Sequence, residues 1–193
     1  MRTLWFTSDH HFGQRNIHRF DGRPYADVYQ MNDDLISRWN SVVRDGDIVY
    51  HLGDLFFQKR IDTALELRRK LQGSIRLIRG NHDRTAEAMK PAFEWIRDYY
   101  ELQVPDDDAD GGRQMVVLSH YPFRDWNKAR RGSYHLHGHC HGLLPSEPLA
   151  LSLDVGCMLH DYKPVSYNRV KEILKAKMTT GLTNVLARQI HTD

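Results

Sequence analysis

The chain predicts a single α/β domain, and three features lead there. Short β-branched and apolar stretches alternate with segments of helical periodicity, as expected for strands connected by helices. At 193 residues there is enough chain for one good core, with no internal repeat, linker or low-complexity tract to divide it. A hydrophobic content of 40% beside 27% charged residues fits an ordinary soluble globule rather than a disordered or fibrous chain.

A first strand is read over Thr3–Phe6, closing at Thr7, and a long loop with Gly13, Gly22 and Pro24 follows over Phe12–Tyr29. Asn32 is placed to cap a helix through about Val43, whose apolar stripe is Leu35, Ile36, Trp39 and Val43. Arg44-Asp45-Gly46-Asp47 has turn composition, and a strand covers Asp47–Leu52. Asp62 is placed to cap a second helix through Gln72, stopped by Gly73. A short strand at Ile75–Ile78 leads to a helical stretch that begins near Thr85 and meets Pro91. Tyr99–Val104 and Met115–Leu118 read as strands joined across Pro105–Gly112, whose acidic, glycine-containing sequence suits a solvated hairpin tip. Tyr134–Leu136 and Ala150–Val155 are further strands, and Ser166 opens a helix carrying Val170, Ile173 and Leu174. Periodicity is weak over the last dozen residues, and 179–193 read as a loosely attached tail.

A formal net charge of +2 produces no large field, and no long basic stripe argues for nucleic acid. Cys140 and Cys157 are too few for a disulfide framework. The start of the chain has one Arg before Leu4-Trp5-Phe6, which is no signal peptide, and no apolar run approaches membrane-spanning length. The expectation is a cytoplasmic protein with no membrane partner.

Chemistry concentrates at the ends of five strands. The clusters are Asp9-His10-His11, Gly53-Asp54, Gly80-Asn81-His82-Asp83, Ser119-His120 and Gly138-His139-Cys140-His141. Strand ends of one sheet lie together in space, so these dispersed groups can converge. On an extended backbone Asp9 and His11 point to one side and His10 to the other. The same alternation pairs His139 with His141 and turns Cys140 away as a packing residue. A lone carboxylate at Asp54, ending an apolar strand, calls for a cation. Gly80 permits a tight turn, so that Asn81 and His82 can both face the site. Taken singly, the first four clusters read as solvated surface, a turn, a cap or a satisfied histidine, and only Gly138-His139-x-His141 is moderately specific. Together, in this order and each after a strand, they read as one two-metal site.

With these residues the chain resembles the calcineurin-like metallophosphoesterase superfamily. The match spans residues 9 to 141, and the phrases Asp9-His10-His11-Phe12-Gly13, Val49-Tyr50-His51-Leu52-Gly53-Asp54 and Leu153-Asp154-Val155-Gly156 are similar to a small bacterial and phage branch of it. The resemblance implies two packed β-sheets flanked by helices, a four-layer sandwich. It implies one metal on Asp9, His11 and His141, a second on Asn81, His120 and His139, and Asp54 bridging them. His82 would act on the leaving group, with Asp83 orienting its imidazole. Gln14 stands where relatives often carry another histidine, which argues against a contact there.

Charge accounting points the same way. Two divalent ions against Asp9, Asp54 and a bridging hydroxide leave a positive hole suited to a phosphate. A first shell of imidazole, carboxylate and amide oxygen suits Mn²⁺, Fe, Zn²⁺, Ni²⁺ or Co²⁺ better than Ca²⁺. Mn²⁺ comes first, on the resemblance. Around the site, Arg15, Asn16 and Arg19 follow the first cluster and are candidates to contact substrate phosphate. Lys128, Arg130 and Arg131 either line the mouth or are simply exposed. Trp126 and Tyr121 either stack on a base or aryl group or pack at the rim. His135 and His137 read as packing or supporting residues, and His51 and His160 as hydrogen-bonding supports.

The expected function is hydrolysis of phosphate esters, preferably small phosphodiesters, by a metal-bridging hydroxide with His82 assisting departure. The alternatives are a nuclease on DNA or RNA, a phosphomonoesterase, or a non-catalytic metal-binding scaffold.

Overall fold

The computed structural model describes residues 2–17, 21–57, 59–145, 147 and 149–190, without the side chains of 182–190. Among the described residues nine strands form two sheets. The first holds β1 (Leu4–Thr7), β2 (Ile48–His51), β3 (Ser74–Ile78), β4 (Trp95–Arg97) and β9 (Val165–Ser166), in the order β4-β3-β2-β1-β9. Its first four strands are parallel, and β9 closes the edge antiparallel to β1. The second holds β5 (Tyr99–Pro105), β6 (Arg113–Ser119), β7 (Tyr134–His137) and β8 (Ser152–Asp154) in chain order, with β6, β7 and β8 parallel.

Alternation along the first sheet feeds two cores. Val49, Ile75 and Leu77 face α1 (Val28–Val42) and α2 (Ile61–Arg69), where Leu35, Trp39 and Leu67 are buried. On the other face, Phe6, Tyr50 and Ile78 pack against Val116, Leu118 and Leu136 of the second sheet, and Val170 and Leu174 of α3 (Tyr167–Ile190) join them. The result is two mixed sheets flanked by helices, as the resemblance implied. Ser8, just past β1, bridges in parallel to Gly156, just past β8, so both sheets deliver their strand ends to one rim. That rim carries the polar clusters. Among the described residues, no helix is long and apolar enough to cross a membrane.

Local chemistry moved several boundaries. α1 starts at Val28, a turn before the expected cap: the Asp27 carboxylate accepts from the Tyr29 and Gln30 N–H groups. Asn32 lies inside the helix, and its Oδ1 accepts from Gly13 N at 3.0 Å, tying the helix to the first loop. Asp62 also lies inside its helix. Arg60 precedes α2 with no side-chain cap, and Asp62 supplies first-turn negative charge instead. α2 ends at Arg69, before Gln72, while Gly73 turns the chain at φ +85°. The stretch before Pro91 is a 3-10 turn over Glu87–Ala92 that contains the proline. Strands β4 and β9 escaped the sequence reading because three and two residues are too few to show a period. At the far end the helix continues to Ile190, through most of the segment read as a tail.

Candidate metal centre

The backbone of the site is not extended. Asp9, His11, Asp54, His139 and His141 all have left-handed φ values, of 58°, 52°, 57°, 70° and 49°. Simple strand alternation therefore does not explain why Asp9 meets His11, and it does not pair His139 with His141. Such φ values cost a non-glycine residue on the order of 1–3 kcal/mol, so the surroundings must impose them. The hydrogen bonds doing so are visible. Asp9 N donates to Gly53 O at 3.0 Å, His11 N to Asp54 O at 2.9 Å, and Ser8 N to Val155 O at 3.1 Å. Arg23, 3% exposed, donates through one terminal nitrogen to Asp9 O at 2.6 Å and through the other to His10 O at 2.7 Å.

Within this frame the side chains converge. Ligand-capable atoms of Asp9, His11 and His141 lie within 4.8 Å of one another, as do those of Asp9, Asp54 and His120. Asp9 belongs to both groups and Asp54 to the second, and Asp54 Oδ2 also reaches toward the first, 3.6 Å from His11 Nε2 and 3.7 Å from His120 Nε2. His141 Nε2 is 3.3 Å from His11 Nε2 and 3.8 Å from Asp9 Oδ1. Asn81 Oδ1 lies 3.0 Å from His120 Nε2. The exposed His139 stands apart from both groups, its ring 5.0 Å from that of His120 and 4.6 Å from that of Tyr121.

Protonation suits cation binding. His120 Nδ1 donates to Leu52 O at 2.7 Å, and burial pushes its pKa down to about 4, so Nε2 presents a lone pair. Burial, with Arg23 nearby, pushes His11 down to about 2. His141 Nδ1 faces Asp21 Oδ2 at 3.2 Å, the support that commonly orients a metal-binding imidazole. Burial pushes Asp9 up to about 7, with Ser8 and His141 pulling the other way. Burial likewise raises Asp54. The facing His11 and His141 nitrogens, with buried carboxylates beside them, can share either a proton or a cation. Ligands about 2.1 Å from one cation stand roughly 3.0–3.4 Å apart, close to the spacings found. The donor set fits divalent metal.

His82 sits at the outer edge. Its backbone N–H donates to Asp54 Oδ1 at 2.8 Å, its Nε2 is 4.0 Å from Asp54 Oδ2, and its ring rests 5.1 Å from that of Phe57. Asp83 does not orient that ring. Its carboxylate accepts from Asp54 N at 2.7 Å, Gly80 N at 2.8 Å and Leu55 N at 3.0 Å, and so it holds two ligand loops together. Gly80 is needed for closeness rather than for a turn, because a Cβ there would strike Asp54 Oδ1 and N. Cys140 is half-buried and unpaired, while Cys157 is buried and donates toward Asp9 O at 3.4 Å.

A cavity of about 880 Å³ opens beside His11, His82 and His141. Arg15 and Asn16 line it, as do Gln14, Ile17, Phe57, Lys59 and Arg60. Gln14 Oε1 is buried there without a protein partner. Arg19 lies outside the described residues. Lys128, Arg130 and Arg131 do not line this cavity. Trp126 packs at the rim, its Nε1 donating to Ser133 O and its ring on His135. Tyr121 is exposed beside His139. His135 stacks on Phe123 and accepts from Phe123 N, and His137 Nδ1 faces Gly138 O. His51 pairs with buried His10 at 3.0 Å rather than with a candidate ligand, and His160 Nε2 donates to Asp154 O. Sequence reasoning missed Asp21, Arg23, Phe57, Lys59 and Arg60. In sequence, Asp21-Gly22-Arg23 reads as a solvated loop, and nothing marks its partners as backbone carbonyls of a distant turn.

The model of the calcineurin-like phosphoesterase family matches residues 2–145. An uncharacterized protein of Methanocaldococcus jannaschii is 35% identical over 192 residues, covering 96% of this chain and 99% of its own. The gene 66 protein of Mycobacterium phage L5 is 32% identical over 164 residues, covering 73% and 78%. A crystal structure of an Aquifex aeolicus protein of unknown function superposes with a TM-score of 0.66 at 21% identity, covering 90% of this chain and 100% of that one, a likeness of fold.

Proposed function

The chain belongs to the calcineurin-like phosphoesterase family, and on that premise we propose that it is a metal-dependent hydrolase of phosphate esters, small phosphodiesters foremost. Asp9, His11 and His141 would hold one divalent cation, and Asn81, His120 and His139 a second, with Asp54 between them. The observation that carries this reading is the position of Asp54 Oδ2, 3.6 Å from His11 and 3.7 Å from His120, one histidine from each of the two ligand-capable groups.

When bound, the cations would supply Lewis acidity, lowering the pKa of a water and offsetting charge on the phosphoryl oxygens. The chain's residues do the rest. Two carboxylates, Asp9 and Asp54, against two divalent ions leave the site net positive, which draws an anionic ester. A water oxygen forms the new bond to phosphorus as the ester P–O bond breaks. His82, at the cavity edge, gives a proton to the leaving oxygen, and the water's proton passes to solvent. Asp83 and Arg23 keep the ligand loops in register. Mn²⁺ is the proposed metal, with Fe, Zn²⁺, Ni²⁺ and Co²⁺ as competitors.

Hydrolysis of bis-p-nitrophenyl phosphate and p-nitrophenyl phosphate with each of these metals tests the reading. Faster Mn²⁺-dependent turnover of the diester is expected. A large monoester preference overturns the diester assignment, and no metal-dependent turnover of any phosphate ester overturns the hydrolase.

A further inference from the structure

Arg15, Lys59 and Arg60 surround the cavity beside His82, and no carboxylate lines it. None of the three makes an ion pair among the described residues, whereas Arg23, Arg38, Arg76 and Arg79 are all paired. A chain of net charge +2 has thus gathered unneutralised cations at one opening. These cations exceed what the scissile phosphate needs, because the candidate metal ligands already surround its place. At about 880 Å³ the cavity also exceeds a phosphate and suits a ligand of nucleotide size. Phe57, 42% exposed beside the His82 ring, offers a flat apolar face on which a base can stack. His82, the residue proposed to act on the leaving oxygen, belongs to the same lining, so a leaving group protonated there would face this cavity.

We propose that the leaving group is a nucleoside carrying at least one further phosphate, which Arg15, Lys59 and Arg60 bind while its base lies on Phe57. Phosphate held by arginine and lysine needs no metal, so this subsite is separable from the cations, although its part in turnover rests on the hydrolase reading. The remaining amide of Asn16, in the same lining, can hydrogen-bond the sugar or phosphate.

Two measurements test the proposal. In the first, adenosine 3′,5′-bisphosphate and adenosine are titrated calorimetrically into metal-stripped protein. The bisphosphate is expected to bind at least about tenfold more tightly, one charge-assisted contact being worth that much. Arg15→Ala/Lys59→Ala/Arg60→Ala removes the difference, whereas Arg15→Lys retains most of it. Equal affinities, or a difference that survives the triple variant, overturn the subsite whatever the enzyme hydrolyses. The second measurement compares kcat/KM for the dinucleotide ApA with that for pApA and ApAp. A preference of about tenfold or more for one phosphorylated form, collapsing in the triple variant, is expected. Equal turnover of all three overturns the proposal and leaves the hydrolase reading standing. Octa-adenylate bearing the favoured phosphate identifies the source: better turnover than the dinucleotide means a nucleic-acid end, poorer turnover means a free nucleotide, and both support the subsite.

Discussion

Replacing Arg23 by Met would strip donors from the Asp9 and His10 carbonyls and leave Asp21 without its 2.7 Å ion pair. Breaking a buried pair of this kind costs roughly 3–5 kcal/mol, and loss of support behind a metal ligand weakens affinity by about 10–100-fold. Calorimetric melting together with Mn²⁺ titration of Arg23→Met measures both. Unchanged Mn²⁺ affinity in a folded variant would confine Arg23 to a stabilising role. His82→Ala separates chemistry from binding: kcat is expected to fall by about 10²–10⁴-fold, with Mn²⁺ stoichiometry in equilibrium dialysis unaltered. Loss of bound Mn²⁺ would instead put His82 among the ligands. At this scale, residue type and spacing made the meeting of Asp9, His11, Asp54, His120 and His141 legible. The left-handed backbone behind it was not, because φ is imposed by Arg23 and by neighbouring loops rather than by local sequence.

Between elements, α3 is clasped to the hairpin that joins β5 and β6. The Asp106 carboxylate accepts from Tyr167 Oη at 2.6 Å and from Lys171 Nζ at 2.9 Å, while Lys171 and Lys175 also reach Asp108. Burial alone would raise Asp106, but Lys171, Tyr167 and the Asp108 N–H hold its pKa down at about 2. An acid depressed on folding stabilises fully above its unfolded value, 3.8, and loses that contribution as pH falls toward 2. Asp106→Asn should therefore be about 1–3 kcal/mol less stable at neutral pH, with the gap closing between about pH 4 and pH 2 in urea unfolding. A gap independent of pH would remove the charge from the explanation. Gly80→Ala forces a methyl into Asp54, and an overpacking cost of about 1–3 kcal/mol is expected in the same assay, together with weaker Mn²⁺ binding. The helix stripe of Leu35 and Trp39 was legible from periodicity. Its start was not, because Asp27 and Asn32 are equally plausible caps and only the fold gives Asn32 another partner in Gly13.

For the whole molecule, metal and fold would be one equilibrium. The candidate ligands come from loops after β1, β2, β3, β6 and β7, so a cation held there ties both sheets together. Mn²⁺ at a thousand times its dissociation constant should add about 4 kcal/mol. In a chain of this size that raises the melting temperature by roughly 10 °C. Scanning calorimetry before and after EDTA dialysis reads the difference, and an unchanged transition would deny the linkage. The α/β class and the common rim of strand ends were legible, since alternating patterns and terminal polar clusters are local. Sheet order was not, because pairings such as Trp5 with Ser166 join opposite ends of the chain.

The Ser8–Gly156 bridge sets an order of events during synthesis. Ser8 N donates to Val155 O and Ser8 O accepts from Cys157 N, so the first candidate ligand loop takes shape against a stretch translated much later. While the ribosome still holds that stretch in its tunnel, the nascent polypeptide has its aspartates and histidines but no socket. Loading with a divalent cation would thereby wait until that stretch has emerged.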